Sequence, residues 1–565
     1  MKALRALMTL SAVVVAASIG GGCSSSADGA ATGDEQDATQ ACKVFFVKEN
    51  RFLTADELKK LGDPIAQKVL QGGKSCPTKL SEIVAKLNTT DTKNCIGGGG
   101  GSSSGGNGGV VGPGGPGGPS IEPKPSAAPK GPDGLTTRFV SDASQELGKP
   151  DTYRGVLTRE CDGRTGHELF ISMFGIAAGG PLPDDVELIG EDKTKGVFDF
   201  YAREEGKWKF FGNSLNLIED GYDCDANGAC VPKAATKTRC ASCHVGGGLV
   251  MKELNSPWVK WEGDTQTPGV DDLMKAHADI LGGRGDGIDM ENRVTSGNHD
   301  DWIPARIEFL KTKGTQEVLR PLFCTIDLNL QSGQGSANAD FFLDPIWSQF
   351  SGVQLTDYDT AIASNKQVLL SSQTGKPLAK TGGGSLTDTF FKFTYPERSK
   401  QDVDYVQALI SKKIIDADFA KDVAFVDFTR PIFSKTRCDL LAAAPTLDAA
   451  KMTPDAIRDG FKKNLAGKTG AAADLLKSLG DTKDDSAHIT AVSAFLSACG
   501  ARPGKDMTSD VLAYASHIRT AMRNVHSKRE GQGGQGIIEF EESLPRDSIT
   551  DIGAKAFDPA TCTLK

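Results

Sequence analysis

Gly196-Val-Phe-Asp-Phe-Tyr-Ala-Arg203 and Lys207-Trp-Lys-Phe-Phe211 lie on either side of Glu204-Glu205-Gly206. Apolar and polar residues alternate in both outer segments, which is typical of β-strands with one buried face. The segment between them contains a glycine, which suits a tight turn. Together the three segments predict a β-hairpin.

Downstream of this hairpin the sequence favours helices. Thr453 followed by Pro454 is typical of a helix start, because proline suits the first helical turn. Helices are predicted over residues 271–281, 305–311, 403–412, 453–464 and 511–525. We therefore expect an α+β fold that is mainly α, with a β-hairpin-containing portion before the functional site and a helical C-terminal region.

Composition divides the chain into segments. Residues 96–134 consist largely of Gly, Ser and Pro, as in the run Gly97 to Gly101, and are expected to be a disordered linker without a core. Before it, Thr54 and Glu57 can form a capping box at a helix start. The predicted segments are a signal peptide (1–22), a tether (23–40), a small Cys-containing helical unit (41–95), the linker (96–134), a β-rich portion with the functional motif (135–343) and a mainly helical region (344–565).

The N-terminus has the features of an export signal. Lys2 and Arg5 precede an apolar stretch from Ala6 to Ile19, which is short for a membrane span. The run Gly20-Gly21-Gly22-Cys23 resembles the lipobox of bacterial lipoproteins, which implies lipidation of Cys23 and anchoring on the periplasmic side or at the cell surface. Gly20 stands where that family has an aliphatic residue, so plain secretion stays open.

Charge and cysteine content narrow the functional classes further. The net charge is −9 with no dense basic run, so nucleic acid is not an expected partner. In an exported chain, 13 cysteines favour disulfides and cofactor ligands over thiols. Without Cys23, Cys240 and Cys243, three cysteines precede the linker and seven follow it. Either a disulfide crosses the linker or two thiols remain.

The motif Cys240-Ala241-Ser242-Cys243-His244 has the spacing that haem attachment requires. Two intervening residues let both sulfurs reach the two vinyl groups of one porphyrin, and the next residue can bring an imidazole to the iron. A zinc site would need two further ligands nearby, and no second Cys-x-x-Cys exists in the sequence. A thioredoxin-like pair would follow an apolar strand, whereas residues 232–239 are polar and basic.

These five residues resemble the haem-binding motif of c-type cytochromes. The resemblance implies one covalent haem c per chain, with thioether bonds at Cys240 and Cys243 and His244 as the proximal ligand. The sixth iron ligand stays open between the methionines Met251, Met274 and Met290, the histidines His277 and His299, and an open or water-bound position.

A second motif, Asp223-Cys224-Asp225-Ala226-Asn227-Gly228, resembles the opening of an EF-hand calcium loop, with Asp223, Asp225 and Asn227 as possible ligands. The twelfth position is Ala234, where a bidentate glutamate is expected. A turn closed by a Cys224–Cys230 disulfide is therefore favoured over a calcium site.

Taken together, the sequence predicts electron transfer by one covalent haem in an exported, lipid-anchored protein whose redox partner it does not identify. One alternative is a haem enzyme that acts on peroxide or a small nitrogen compound, because the chain is far larger than a carrier needs. The other is a disulfide-containing surface or binding lipoprotein in which haem is structural.

Overall fold

The computed structural model describes most of the chain between residues 42 and 565 in separate ranges. These ranges are 42–71, 76–87, 135–141, 152–160, 167–177, 180–224, 228–233, 296–326, 328–332, 343–346, 394–480, 486–502 and 555–565, with a few single residues and short stretches that include 240, 244 and 246–249. The predicted signal peptide, tether and linker, with Cys23, lie outside the described residues.

Eight strands form one mixed sheet in the order β2-β1-β8-β7-β6-β5-β4-β3. Their bounds are Val44–Phe46 (β1), Arg51–Phe52 (β2), Leu135–Ser141 (β3), Thr152–Glu160 (β4), His167–Ala177 (β5), Val186–Asp192 (β6), Val197–Glu204 (β7) and Lys207–Asn213 (β8). Strand β1 runs parallel to β8, with Phe45 opposite Lys209, and the other neighbours pair antiparallel. The predicted hairpin is β7 and β8, in which Arg203 pairs with Trp208.

The sheet is covered on both faces. Along β7, Phe198 and Phe200 point into a first apolar core, which also contains Trp302 and Leu249. Tyr201 points to the opposite face and into a second core. Because both faces are covered, almost every residue of β7 is buried.

The second core is built by the N-terminal segment. It contains α1 (Ala55–Lys60), a π-helix (Ile65–Leu70) and α2 (Leu80–Leu87). The capping box predicted at the start of α1 is present, with the Thr54 hydroxyl accepting from the Glu57 amide at 3.2 Å and the Glu57 carboxylate accepting from the Thr54 amide at 2.8 Å. A disulfide between Cys42 and Cys76 closes the segment.

The first core is covered by the later helices. Their bounds are Ser296–Lys311 (α3), Thr315–Phe323 (α4), Lys400–Ser411 (α5), Ala417–Phe425 (α6), Lys435–Asp439 (α7), Pro454–Leu465 (α8), Ala471–Gly480 (α9) and Ser486–Ala501 (α10), with 3-10 turns at Leu440–Ala443 and Ala449–Lys451. Thr453 caps α8 by accepting from the Ala456 amide, as its sequence predicts. Short strand pairs join β9 (Tyr222–Cys224) to β10 (Cys230–Pro232) and β11 (Leu328–Ser332) to β12 (Thr394–Arg398). Of the helices considered in the described ranges, none has both the length and the apolarity to cross a bilayer.

The predicted fold class, α+β and mainly α with a β-hairpin-containing portion, is wrong. The hairpin is the centre of an eight-stranded mixed sheet with helices packed on both faces. The alternation in β7 predicts one exposed face, but its polar residue Asp199 is buried. The pairing of β1 with β8 joins segments far apart in the sequence, which local patterns do not reveal.

Candidate functional site

Cys240 and His244 are joined by a backbone hydrogen bond. The His244 amide donates to the Cys240 carbonyl at 2.9 Å, which is the hydrogen bond of an α-helix between residues four apart. Cys240 takes part in none of the disulfides described below, and Cys243 lies outside the described residues.

The His244 imidazole is oriented by the backbone that follows it. Its Nδ1 lies 3.1 Å from the Gly248 carbonyl oxygen, which accepts only from a protonated nitrogen. This contact assigns the proton to Nδ1 and leaves the lone pair on Nε2, the arrangement typical of a metal-binding histidine. The Phe200 ring packs 5.3 Å from the imidazole centroid and joins the site to the first core.

Two glycines, Gly247 and Gly248, make this arrangement possible. Gly247 has a φ of 83°, and a Cβ there would overlap the Ser214 carbonyl oxygen. A Cβ on Gly248 would overlap the Gln401 side-chain oxygen and lie 3.2 Å from the Trp302 ring. Only glycine lets the chain turn this tightly and return its carbonyl to His244.

Buried polar groups surround this glycine turn. Trp302 and Gln401 are 0% and 1% exposed, yet the Trp302 Nε1 and both polar atoms of the Gln401 amide have no hydrogen-bond partner among the described residues. Arg306 lies between the rings of Trp302 and Tyr405, 5.0 and 4.9 Å from their centroids, and donates to the Tyr222 hydroxyl at 3.2 Å. Its Nε and Nη1 also lack partners within the described ranges. Buried donors without partners are costly, so they are expected where a further group binds.

Sequence reasoning missed these donors. Trp302 and Arg306 lie on α3 and Gln401 on α5, and neither helix carries a local motif that links it to residues 240–248. The triple glycine at 246–248 was the only available signal.

The predicted sixth ligands are mostly outside the described residues, namely Met251, Met274, Met290 and the side chain of His299. His277 is described, and its Nε2 lies 3.3 Å from the Gly180 carbonyl oxygen. Its neighbour Ile280 packs in the second core, whereas His244 contacts Phe200 of the first core.

The predicted Cys224–Cys230 disulfide is confirmed, and it joins directly opposite residues of β9 and β10. Asp223 is exposed, with the Lys233 ammonium 3.9 Å from its carboxylate, while Asp225 and Asn227 lie outside the described residues. No further evidence for a calcium site comes from this turn.

Four disulfides are present, Cys42–Cys76, Cys224–Cys230, Cys324–Cys438 and Cys499–Cys562. They indicate an oxidising compartment outside the cytoplasm. Cys95 and Cys161 lie outside the described residues, so both alternatives, a disulfide across the linker or two thiols, stay open. Among the described residues, the one group of metal-ligand side chains that converges is Cys224, Cys230, Cys324 and Cys438.

A cluster of acids is buried on the second face. Asp63 accepts from the Tyr201 hydroxyl at 2.7 Å and from the amides of Ile65 and Ala66 at 2.8 and 3.0 Å. Burial and the adjacent Asp63 charge raise the pKa of Asp199 well above its usual range. Asp199 is therefore the protonated partner of the pair.

His244, the glycine turn and the buried donors around it form one site on the first face of the sheet, separate from the acids on the second. Comparison of the chain with protein-family models, with curated proteins and with solved structures gives no match.

Proposed function

We propose that this chain is an exported electron-transfer protein with one haem c bound through Cys240 and Cys243 and with His244 as the proximal iron ligand. The observation that carries the proposal is the His244 Nδ1 contact with the Gly248 carbonyl at 3.1 Å. It assigns the proton to Nδ1, so Nε2 is the nitrogen that would bind a metal, and the His244 amide is hydrogen-bonded to the Cys240 carbonyl.

The chain's own residues explain how such a ligand would be held. The Gly248 carbonyl fixes the tautomer and increases the basicity of the imidazole. Phe200 packs against the ring and limits its rotation. When bound, haem supplies a one-electron couple, and the ligand and the burial of the site tune its potential.

The buried donors on α3 and α5 support the same cofactor. Haem carries two propionate carboxylates, which are stabilised by donors of the kind that the Trp302 indole, the Gln401 amide and the Arg306 guanidinium provide. The Gln401 and Trp302 side chains lie beside the glycine turn, because a Cβ on Gly248 would come within 3.2 Å of both. A propionate would satisfy polar atoms that otherwise remain buried without a partner.

The location belongs to the proposal as well. Export agrees with the four disulfides, and lipidation of Cys23 would tether the protein to a membrane. The Gly/Pro-rich segment 96–134 would then add reach toward a redox partner protein.

The first experiment compares spectra of the full chain, expressed with a haem-attachment system. We expect a low-spin, six-coordinate spectrum that carbon monoxide and cyanide do not change. His244→Ala retains both thioether cysteines, so covalent haem should remain while the spectrum becomes high-spin. His488→Ala is the matched control, because this imidazole stacks on Phe425, with 3.8 Å between the ring centroids.

Two results would change the interpretation. Rapid binding of carbon monoxide or cyanide by the wild type would favour the haem enzyme that acts on peroxide or a small nitrogen compound. An unchanged spectrum in His244→Ala would remove His244 as the ligand. In a separate experiment, single alanine variants of Met251, Met274 and His277 would identify the sixth ligand, because loss of that ligand should abolish the low-spin spectrum.

A further inference from the structure

Four cysteine sulfurs meet at one point near the end of the sheet. The Sγ atoms of Cys224, Cys230, Cys324 and Cys438 all lie within 4.8 Å of one another. In the oxidised chain they form the disulfides Cys224–Cys230 and Cys324–Cys438. The two disulfides are in contact, with 4.0 Å between the sulfurs of Cys230 and Cys438.

These sulfur–sulfur distances are close to those in a tetrahedral metal site. A tetrahedral zinc ion with four Zn–S bonds of about 2.3 Å holds its sulfurs about 3.8 Å apart. Four sulfurs within 4.8 Å therefore need only small side-chain rotations to surround one ion. Four cysteines are also a standard ligand set of structural zinc sites.

Backbone contacts, and not the disulfides alone, hold the four positions together. The Cys230 amide donates to the Thr325 carbonyl at 3.2 Å, next to Cys324. The turn before Cys230 packs directly on the start of α7, where a Cβ on Gly228 would lie 2.9 Å from the Ser434 carbonyl oxygen. Cys438 lies on that helix, whose first turn is capped by Ser434.

The surroundings suit thiolates. Cys230 and Cys324 are each 1% exposed, so their sulfurs would be shielded from solvent. The Arg320 guanidinium lies 3.8 Å from the Cys224 sulfur and favours its deprotonated form. Glu317 pairs with Arg320 at 2.7 Å, so this charge is partly offset.

We propose that these four cysteines form a redox-dependent zinc site: four thiolates around one Zn²⁺ in the reduced chain, and two disulfides after oxidation. Cysteines are thiols when a chain is synthesised, so a reduced state exists before the disulfides form. Binding of Zn²⁺ by four thiols releases four protons. This inference does not depend on haem binding at Cys240 and Cys243.

The test uses the full chain, reduced without oxygen by a phosphine. For each disulfide, the phosphorus gives two electrons and takes the oxygen of one water molecule, and the two protons go to the new thiols. Co²⁺ is the probe, since four thiolates in a tetrahedron give it strong visible absorption. We expect this absorption to saturate at one Co²⁺ per chain and to disappear when Zn²⁺ is added.

Two double variants make the assignment. Cys224→Ser/Cys438→Ser removes one cysteine from each disulfide of the cluster and should abolish the absorption. Cys42→Ser/Cys499→Ser removes one cysteine from each of two other disulfides and should retain it. Cys240 and Cys243 are unchanged throughout, so their contribution cancels. Equal Co²⁺ binding by both variants, or no one-to-one complex in a folded wild type, would overturn the proposal.

A further variant covers the case in which reduction unfolds the chain. Cys224→His/Cys438→His blocks both cluster disulfides but keeps four metal ligands, so no phosphine is needed and the other two disulfides remain. Prepared without oxygen, it should bind one Zn²⁺ and gain thermal stability, whereas Cys224→Ser/Cys438→Ser should not. Equal Zn²⁺ content in these two variants would contradict the proposal.

Discussion

The two faces of the sheet bury different kinds of polar group, namely carboxylic acids such as Asp63 and Asp199 on the second face and N–H donors on the first. On the second face, the Asp63 carboxylate accepts three hydrogen bonds from Tyr201, Ile65 and Ala66, so the N-terminal segment satisfies it from within. On the first face, the Trp302 indole and the Gln401 amide have no such partner among the described residues, although both are buried. They also lie against the glycine turn that orients His244.

We interpret the second face as a stabilising one and the first as the face of the proposed haem site. A polar cluster whose members bond to one another fixes the packing of a core. Donors that the chain leaves unsatisfied are retained where a ligand completes them, because their burial otherwise costs free energy. We therefore expect changes on the second face to alter stability, and changes around Gly247 to alter the haem site.

The largest expected effect is on the second face. Cys42→Ser/Cys76→Ser opens a loop of 34 residues and should lower the free energy of unfolding by roughly 4 kcal/mol, through the greater entropy of the unfolded chain. The absorption spectrum of the haem should be unchanged in the folded variant. Denaturant unfolding followed by circular dichroism measures the first quantity. A changed haem spectrum would show that the two faces are not independent.

Gly247→Ala tests the glycine turn on the first face. Its positive φ and the overlap of a Cβ with the Ser214 carbonyl oxygen should cost about 3 kcal/mol of stability and disturb the His244 ligand. Gly206→Ala is the matched control, since Gly206 also has a positive φ but no atom lies within 4 Å of its Cβ position. It should cost about 1 kcal/mol and leave the spectrum unchanged. Similar spectra for both variants would argue against a haem ligand at this turn.

The buried acid Asp199 should make the stability of the folded chain depend on pH. Its pKa is raised in the folded state by burial and by the Asp63 charge, so its stabilising contribution is complete below the unfolded pKa of about 3.9 and is lost as pH rises toward the folded value. Over that window it should lower stability by up to about 1.4 kcal/mol per pH unit. In Asp199→Asn this loss is absent. The free energy of unfolding of the variant should therefore increase relative to that of the wild type as pH increases. Parallel stability curves from pH 4 to 7 would contradict the assigned protonation.

Gln401→Leu should have the smallest effect on the polypeptide itself. Replacing an unsatisfied buried amide by an apolar group of similar size should change the stability of the haem-free chain by less than about 1 kcal/mol. If Gln401 binds a haem propionate, the same substitution should shift the reduction potential of the haem protein. Spectroelectrochemical titration measures that shift. An unchanged potential would remove Gln401 from the haem site.

Some features of the fold could be predicted from short sequence patterns, and others could not. The β7–β8 hairpin, the caps at Thr54 and Thr453, and the Cys224–Cys230 disulfide each depend on residues close in sequence, and all are present. Their physical causes act over a few residues, so a short pattern specifies them.

The sheet depends on contacts that no local pattern contains. Strand β1 pairs with β8 across the whole Gly/Pro-rich segment, and both faces of β7 are buried although its alternating sequence predicts one exposed face. The same holds for the candidate site. The motif at 240–244 predicted His244, but the donors on α3 and α5 come to it only through the fold.

The central claim is tested most directly by a pyridine haemochrome spectrum of the denatured full chain, with Cys240→Ala/Cys243→Ala as the control. We predict a c-type spectrum at one haem per chain that persists after extraction with acidified organic solvent, and its loss in the control. A b-type spectrum, pigment that leaves with the solvent, or a colourless protein would contradict covalent haem binding and the electron-transfer function inferred from it.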